Sequence, residues 1–276
     1  MIDIQTGLRD LTDYLAQDDL PDPARDARVI LGYVLKLSPT ALSACLRDPL
    51  QEYHLEAAYA LAAERTARRP MSHILGYRDF YKHRFLVTPQ VLDPRPETET
   101  LVSLALEEPF QEPLELGIGS GCILLSLLAE RPGIFGIGVD LSEAALEVAD
   151  RNAKALGLSD RVHLDQSDWF SAVSGTYDLI VANPPYVSAE DYEDLAPELY
   201  HEPKIALTPG GDGLDAYRVI CRDAPRHLAP GGRLIVEIGF DQGPAVQQLF
   251  AEAGLASITC HTDINAKDRV VSGWRA

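Results

Sequence analysis

The stretch Leu114–Gly121, which reads LELGIGSG, decides the fold class of this chain. A short apolar run leads into a glycine-rich turn, and Ile123–Glu130 follows with a helical pattern, which predicts a strand, a tight loop and a helix. Glycine has no side chain, so such a loop turns sharply and brings backbone N–H groups close to a ligand. The spacing is G-x-G-x-G and not the dinucleotide-binding G-x-G-x-x-G, so the loop alone is compatible with a plain tight turn.

Strand and helix patterns alternate along the chain after Pro113. This alternation predicts an α/β fold with a doubly wound, mostly parallel, Rossmann-like sheet. Further strands are predicted over Ile134–Val139, Arg161–Leu164, Tyr177–Ala182 and Leu234–Glu237, and helices over Ser142–Leu156 and after Gln242.

The chain divides into three parts by pattern. Residues 1–75 are rich in Ala and Leu at helical spacing and carry no ligand-binding or catalytic pattern, which predicts a small helical bundle. Its role is either purely structural or the recognition of a substrate. Residues 76–96 predict a linker that contains a strand or β-hairpin over Phe80–Val87, and residues 97–276 predict the α/β domain.

Composition and charge exclude several classes of protein. The 276 residues are 46% hydrophobic and 24% charged, as in ordinary globular proteins. No apolar run reaches the roughly 18 residues that a membrane helix needs, and the N-terminus lacks the basic and apolar segments of a signal peptide. A net charge of −18 opposes broad binding to nucleic acids. We therefore expect a cytoplasmic protein that contacts neither membrane nor nucleic acid.

Metal and disulfide sites are not predicted. The four cysteines are far apart in sequence without a C-x-x-C pair, and none of the seven histidines has the spacing of metal ligands. The isolated thiols fit a reducing compartment.

Polar residues at the ends of the next two predicted strands indicate a nucleoside site. Asp140 follows its strand about 20 residues after the glycine loop, where a carboxylate accepts both hydroxyls of a ribose. Asp168 and Trp169 follow the third strand, where a polar group and a flat ring would flank an adenine. Asp140 has an alternative role as the cap of the helix that begins near Ser142.

The tetrapeptide Asn183–Tyr186, with the sequence NPPY, follows the strand that ends at Ala182. Two prolines remove two backbone donors and fix two φ angles, which leaves a rigid turn with exposed carbonyl oxygens beside the side chain of Asn183. Such a surface accepts hydrogen bonds from an NH2 group, and the ring of Tyr186 offers a face for a planar conjugated group. The pattern suits alkylation of a planar nitrogen, since two acceptors on its N–H bonds aim its lone pair at an electrophile.

The segment Pro94–Glu99 places proline and acidic residues at a predicted helix start. Backbone and dipole preferences explain this pattern by themselves, so Arg95 and Glu97 are second-tier site candidates. Glu115 in the glycine-loop stretch is a third.

The glycine loop, Asp140 and the NPPY turn together resemble class I S-adenosylmethionine-dependent methyltransferases. Within that group the chain from about residue 65 onward resembles the peptide chain release factor glutamine methyltransferases, the PrmC/HemK family. The stretches that carry the closer resemblance are Arg69–Gly76, Phe80, Phe85, Pro94–Glu99, Glu202-Pro203, Ala206-Leu207, Gly210–Leu214, Glu237–Gly239, Gln242 and Asp268-Arg269. The loop departs from the family pattern at Ile118, where threonine is commoner.

The resemblance implies a protein-(glutamine-N5) methyltransferase that modifies the Gly-Gly-Gln glutamine of class 1 release factors, with S-adenosyl-L-methionine as cofactor. We also expect a monomer. The resemblance also implies roles for individual residues. The cofactor would be bound by Gly117, Ile118, Gly119, Ser120, Gly121, Asp140, Asp168, Trp169 and Asn183, the substrate glutamine by Asn183, Pro184, Pro185 and Tyr186, and catalysis would depend on Asn183, Pro184 and Tyr186.

Two alternatives share parts of this pattern. A methyltransferase acting on an exocyclic amino nitrogen of a DNA or RNA base has the same tetrapeptide but requires a basic cleft, which the charge of −18 opposes. A catalytically silent cofactor-binding protein would not need the geometry of the NPPY turn.

Overall fold

The computed structural model describes residues 2–276, whose contacts divide them into two compact units. The first unit contains the chain up to residue 76 together with residues 196–201, and the second contains residues 77–195 and 202–276. The sequence carries no signal that the short segment 196–201 groups with residues 120 positions or more before it.

The first unit is helical, as the Ala- and Leu-rich pattern predicts. Its elements are β1 (Ile2–Asp3), α1 (Ile4–Leu15), α2 (Pro23–Leu35), α3 (Pro39–Ala44), β2 (Pro49–Leu50), α4 (Glu52–Thr66) and α5 (Met71–Leu75). The Asp3 carboxylate accepts the N–H of Thr6 at 2.8 Å and so caps α1, while Asp22 and Pro23 begin α2. Leucine, isoleucine and alanine side chains from α1, α2 and α4 form one apolar core.

A buried ion-pair group lies in this first unit. Arg65 Nε lies 2.7 Å from Asp26 Oδ2, and Arg65 Nη1 lies 3.0 Å from Glu198 Oε1. Arg68 contacts the same Glu198 carboxylate at 3.1 Å. These bonds hold the segment 196–201 within the unit, because a buried guanidinium requires carboxylate partners.

The second unit contains the α/β domain. Its elements are β3 (Tyr77–Phe80), β4 (His83–Leu86), α6 (Glu99–Glu107), β5 (Pro113–Leu116), α7 (Cys122–Glu130), β6 (Gly136–Asp140), α8 (Glu143–Ala155), β7 (Val162–Gln166), β8 (Tyr177–Ala182), α9 (Ala189–Tyr192), α10 (Lys204–Leu207), α11 (Asp215–His227), β9 (Leu228–Glu237), α12 (Gly243–Glu252), β10 (Leu255–Thr262) and β11 (Asp268–Arg275). Within residues 2–276, no helix has the length and apolar character that crossing a membrane requires.

Seven strands form one sheet in the order β10-β11-β9-β8-β5-β6-β7. The five strands from β9 to β7 are parallel, and β11 pairs antiparallel with both β9 and β10. Buried side chains pack on both faces of the sheet, as expected when helices cover both sides of parallel strands. The predicted doubly wound α/β class is confirmed, and the predicted hairpin near Phe80 is present as β3 and β4.

The antiparallel pair β10 and β11 was not predicted. Its residues are half-buried or exposed over most of β10, so the sequence there lacks the apolar run of the central strands. The central strand β5 is buried at every position and β8 at all but Asp178, and both were predicted within one residue of their observed bounds.

Candidate functional site

A cavity of about 420 Å³ lies in the second unit, at the carboxyl ends of the parallel strands. The chain leaves β5 toward β6 on one side and returns as β8 on the other, so the strand order reverses between β5 and β8. Ligands of open α/β sheets bind at such a switch point. Residues that follow β5, β6, β7 and β8 all line this cavity. The fold thus brings together four turns that the sequence analysis singled out separately.

The glycine loop after β5 forms one side of the cavity. Gly117, Gly119 and Gly121 have φ angles of 67°, 54° and 80°, a backbone conformation that residues with a Cβ rarely adopt. At Gly121 a Cβ would also lie 2.9 Å from Leu125 Cδ1. Gly117 to Ser120 line the cavity, whereas Gly121 lies just behind them at the start of α7. Ile118 is buried and contacts Gly138 on β6, where a Cβ would lie 2.1 Å from its Cδ1 atom.

The Asp140 side chain is held by backbone N–H groups of the glycine loop and of its own turn. Its Oδ2 accepts the N–H of Gly119 and its Oδ1 accepts the N–H of Ser142, both at 2.9 Å. The Ser142 hydroxyl, and not Asp140, caps α8 by accepting the N–H of Ala145, so the alternative of Asp140 as that cap is wrong. Burial raises the pKa of Asp140, while the backbone N–H groups oppose that rise. The carboxylate lines the cavity with lone pairs left for a ligand.

Asp168 and Trp169 line the cavity from the end of β7. Trp169 has a φ of 50°, and its carbonyl accepts a hydrogen bond of 2.8 Å from the Ser167 hydroxyl. A non-glycine residue with positive φ costs of order 1–3 kcal/mol, and such residues cluster at binding sites. The surrounding turn holds Trp169 at the cavity, and its contact with an adenine stays a prediction.

Asn183 and the two prolines line the cavity from the end of β8. The Asn183 side chain donates from Nδ2 to the hydroxyl of Thr98 at 3.4 Å. Its Oδ1 accepts no hydrogen bond within the described residues 2–276, which leaves that oxygen for a ligand N–H. Asn183, Pro184 and Pro185 thus lie together at the cavity, where the sequence predicts that the turn offers acceptors to a ligand.

The Tyr186 side chain is not among the groups that line the cavity. It packs against the core on one face of the sheet, and burial raises its pKa to about 12. The Tyr186 carbonyl accepts a hydrogen bond of 3.0 Å from Gln242 Nε2. Gly213, with a φ of 79°, approaches this carbonyl so closely that a Cβ there would lie 2.4 Å from it. These contacts hold the Tyr186 end of the NPPY turn in place.

The three second-tier candidates have different positions. Glu115 is fully buried, lines the cavity and accepts the N–H of Leu124 at 2.8 Å; burial raises its pKa well above the ordinary value. Arg95 lines the cavity and pairs with Glu202 at 2.5 Å. Glu97 belongs to the turn Pro96–Thr98 and does not line the cavity.

Sequence reasoning missed several lining residues. Thr98 contacts Asn183 from 85 positions away in sequence, and no local motif indicated that contact. Others come from loops of ordinary composition, among them Gln90, Val91, Leu92, Leu141, Pro203, Thr208 and Pro209, and from two helices, Ile205 and Ala206 on α10 and Asp215, Ala216 and Val219 on α11. Leu141 and Ile205 are about half exposed, so the cavity has an apolar rim.

The donors and acceptors around the cavity fit a nucleoside-type ligand. The site combines the backbone of three glycines with positive φ, a carboxylate held by two N–H groups, and an indole. These groups lie at the ends of successive strands. The pocket lies in the size range of small-molecule sites. Among residues 2–276 there is no group of three His, Cys, Asp or Glu side chains arranged to hold a metal ion.

Comparison with known proteins agrees with this geometry. Residues 7–76 match the PrmC N-terminal domain, and residues 92–214 match the methyltransferase small domain. The release factor glutamine methyltransferase of Cereibacter sphaeroides is 50% identical over 267 residues, which is 96% of each chain. That of Rhodospirillum rubrum is 43% identical over 92% of this chain and 79% of its own.

Among solved structures, a 16S rRNA N2 G1207 methyltransferase of Thermus thermophilus in complex with AdoMet and guanosine has the same fold. Its TM-score is 0.52 with 18% identity over 72% of this chain and 50% of that one. At this identity the likeness concerns the fold alone.

Proposed function

Since this chain belongs to the family of release factor glutamine methyltransferases, we propose that it methylates the side-chain amide nitrogen, N5, of the glutamine in the Gly-Gly-Gln motif of class 1 peptide chain release factors. The observation that carries the proposal is the 50% identity over 96% of both chains to a protein of that name, joined to an Asn183 amide oxygen left free at the cavity. S-adenosyl-L-methionine is the methyl donor in this proposal.

The cofactor residues follow from the geometry of the loops. Gly117, Ile118, Gly119 and Ser120 would contact it through their backbone, and Asp140 would accept the ribose hydroxyls. Trp169 and Asp168 would flank the adenine. Gly121 would contribute indirectly, because its positive φ leads the chain from the loop into α7. When bound, S-adenosylmethionine supplies an electrophilic methyl group.

The NPPY turn would hold the acceptor glutamine. Asn183 Oδ1 and the Pro184 carbonyl accept the two N–H bonds of the substrate amide, which favours a more tetrahedral nitrogen and aims its lone pair away from the turn. The nitrogen sheds a proton after it has been alkylated, so no strong general base is required. Pro185 shapes the pocket, and Tyr186 acts from behind it by anchoring the turn. An extended Gly-Gly-Gln loop fits a narrow opening because glycine has no side chain.

We also infer that the helical first unit contributes to recognition of the release factor. It matches a domain named for this family, and the cavity lies wholly in the second unit. If so, kcat/KM for a whole release factor exceeds that for a short Gly-Gly-Gln peptide. Equal values for the two substrates would contradict this role.

The primary test combines the purified protein, methyl-labelled S-adenosylmethionine and a class 1 release factor, with a Gly-Gly-Ala variant of the factor as control. Peptide mass spectrometry locates the label. We expect one methyl group on the motif glutamine and none on the control. Label on RNA or DNA in place of the protein would favour a base methyltransferase, and tight cofactor binding with no transfer to any acceptor would contradict catalysis.

A further inference from the structure

Glu237 is a buried carboxyl group that the proposed reaction does not use. It is 1% exposed, ends β9 and has an Oε2 atom without a hydrogen-bond partner in the described residues. An unpartnered buried carboxyl oxygen is costly, which points to a function at this position.

The sheet register places Glu237 beside the catalytic turn. Ala182 at the end of β8 pairs with Val236 on the parallel strand β9, so Asn183 and Glu237 are the next residues on the two neighbouring strands. Thr98 lies between them: its hydroxyl accepts from Asn183 Nδ2 at 3.4 Å, and it lies close enough to the Glu237 carboxyl group to lower the pKa of that group through a hydrogen bond. Asn183 and Thr98 line the cavity, whereas Glu237 lies behind them.

We propose that Glu237, acting through Thr98, sets which end of the Asn183 amide faces the cavity. This inference rests on the proposed function, in which Asn183 Oδ1 accepts an N–H bond of the substrate glutamine. Glu237 and Thr98 are positioning residues, since neither is required to touch the reacting nitrogen.

The polarity of the hydrogen-bond chain gives the reason. A carboxylate only accepts hydrogen bonds, so an ionised Glu237 obliges the Thr98 hydroxyl to donate to it. The Thr98 oxygen then accepts from Asn183 Nδ2, and Oδ1 is directed to the cavity. A protonated Glu237 can donate to Thr98, whose hydroxyl proton is then free to donate to Asn183 Oδ1. The amide would turn over and present NH2 to the substrate NH2, two donors that repel each other.

The pKa of Glu237 is such that both protonation states of its carboxyl group are populated near neutral pH. Burial raises its pKa to about 7, whereas the Thr98 hydrogen bond and the positive charge of Arg269 act in the opposite direction. Charged and titratable groups face it from each element packed against it: Arg269 on β11, Arg95 and Glu97 before α6, Tyr217 on α11, Tyr186 after β8 and Cys122 on α7. Burial raises the pKa of Tyr217, Tyr186 and Cys122 far above neutrality, so these three groups do not ionise near pH 7.

The first experiment removes the connecting hydroxyl. Thr98→Val keeps the shape of the side chain but breaks the chain of hydrogen bonds, and Thr98→Ser restores the hydroxyl. We expect Thr98→Val to lower kcat about tenfold, the effect of one lost orienting hydrogen bond. Thr98→Ser should recover most of it. Thr259→Val, at an exposed position of β10, serves as the matched control.

The second experiment measures kcat against pH with saturating cofactor and release factor. Wild-type kcat should rise with an apparent pKa near 7, because only the ionised Glu237 gives the productive polarity. Glu237→Gln and Thr98→Val should both lose this rise, and the double variant should be no slower than Thr98→Val alone. Glu252→Gln, at an exposed helix position, should keep the wild-type profile.

A readout independent of turnover checks the buried charge. Because the folded-state pKa of Glu237 is raised above its ordinary value of 4.5, its favourable contribution to stability is present at low pH and is lost as the pH rises through 7. The melting temperature of the wild type relative to Glu237→Gln should therefore fall between pH 5 and pH 8. A constant difference would overturn the assigned ionisation.

Other outcomes separate this inference from the proposed function. If the wild type methylates the glutamine while Thr98→Val keeps wild-type kcat and pH dependence, the positioning role is wrong and the function stands. If the folded wild type binds S-adenosylhomocysteine but transfers no methyl group to the glutamine, the function itself is wrong. Melting curves and S-adenosylhomocysteine affinity close to wild type exclude misfolding of Thr98→Val, and Thr98→Ser tests the hydroxyl independently.

Discussion

Two turns line the same cavity and are built from opposite residue types. The turn after β5 uses glycines at positive φ and brings backbone donors to the site, one of which binds Asp140. The turn after β8 uses two prolines, which lack N–H groups, and so offers carbonyl and amide oxygens. Both follow buried parallel strands of the same sheet. Residue type at a strand end therefore decides whether that end donates or accepts hydrogen bonds.

The comparison also separates what each turn would do. The glycine turn, with Asp140, would determine affinity for the cofactor, whereas the proline turn would determine the rate of transfer. Substitutions in one turn should therefore change one quantity and spare the other. Four changes test the roles and the stability of the two turns, in order of decreasing expected effect.

The largest effect is expected for Asn183→Ala. It removes the amide oxygen proposed to hold the substrate N–H, and kcat should fall on the order of 100-fold to 1,000-fold, as when one preorganised hydrogen bond to a reacting group is lost. Affinity for S-adenosylhomocysteine, measured by calorimetry, should weaken only slightly. Asn265→Ala on the exposed turn before β11 is the control. Equal losses of affinity and rate would show that the two turns do not have separate roles.

The next effect is expected for Asp140→Ala. The change removes the acceptor for Gly119 and Ser142 as well as the proposed ribose contacts. The dissociation constant for S-adenosylhomocysteine should rise on the order of 10-fold to 100-fold, since each hydrogen bond to a charged acceptor is worth about 1.5 kcal/mol. Single-turnover rates at saturating cofactor should stay near those of the wild type. A lower single-turnover rate with normal affinity would reverse the assignment.

Gly121→Ala tests the backbone requirement of the glycine turn. The Cβ would meet Leu125 at 2.9 Å and impose strain at a φ of 80°. The free energy of unfolding should fall by about 2 kcal/mol, measured by denaturant titration. Gly175→Ala is a matched control, since Gly175 has a φ of 88° but no atom within 4 Å of its Cβ position. Identical losses in the two variants would mean that the contact with Leu125 costs nothing.

The smallest effect is expected for Pro184→Ala. The alanine keeps the carbonyl oxygen that accepts the substrate N–H but restores a backbone donor and a free φ angle. The free energy of unfolding should fall by about 0.4–1 kcal/mol through the added entropy of the unfolded chain, and kcat should fall only a few-fold. A loss of kcat as large as that of Asn183→Ala would mean that rigidity, and not the acceptors, carries the effect of this turn.

Prediction from sequence worked best where local stereochemistry decides the structure. Glycine at Gly117–Gly121 permits a backbone conformation that other residues rarely adopt, and proline at Pro184-Pro185 fixes φ, so these turns were recognisable without tertiary information. Of the two roles that the sequence allowed for Asp140, the structure excludes the helix cap, because the Ser142 hydroxyl caps α8. The contact of the Tyr186 ring with the substrate stays a prediction: the half-buried ring packs against the core of the sheet and does not line the cavity.

The alternation of strands and helices, the polar groups at strand ends and the membership of a family can all be read from local sequence patterns. The distant segments that complete the site become known only from the folded chain. Thr98 reaches Asn183 across 85 residues, and the β8–β9 register brings Glu237 beside them. Local patterns record the backbone preferences of neighbouring residues, whereas these contacts arise from strand register and from packing between segments that share no sequence pattern.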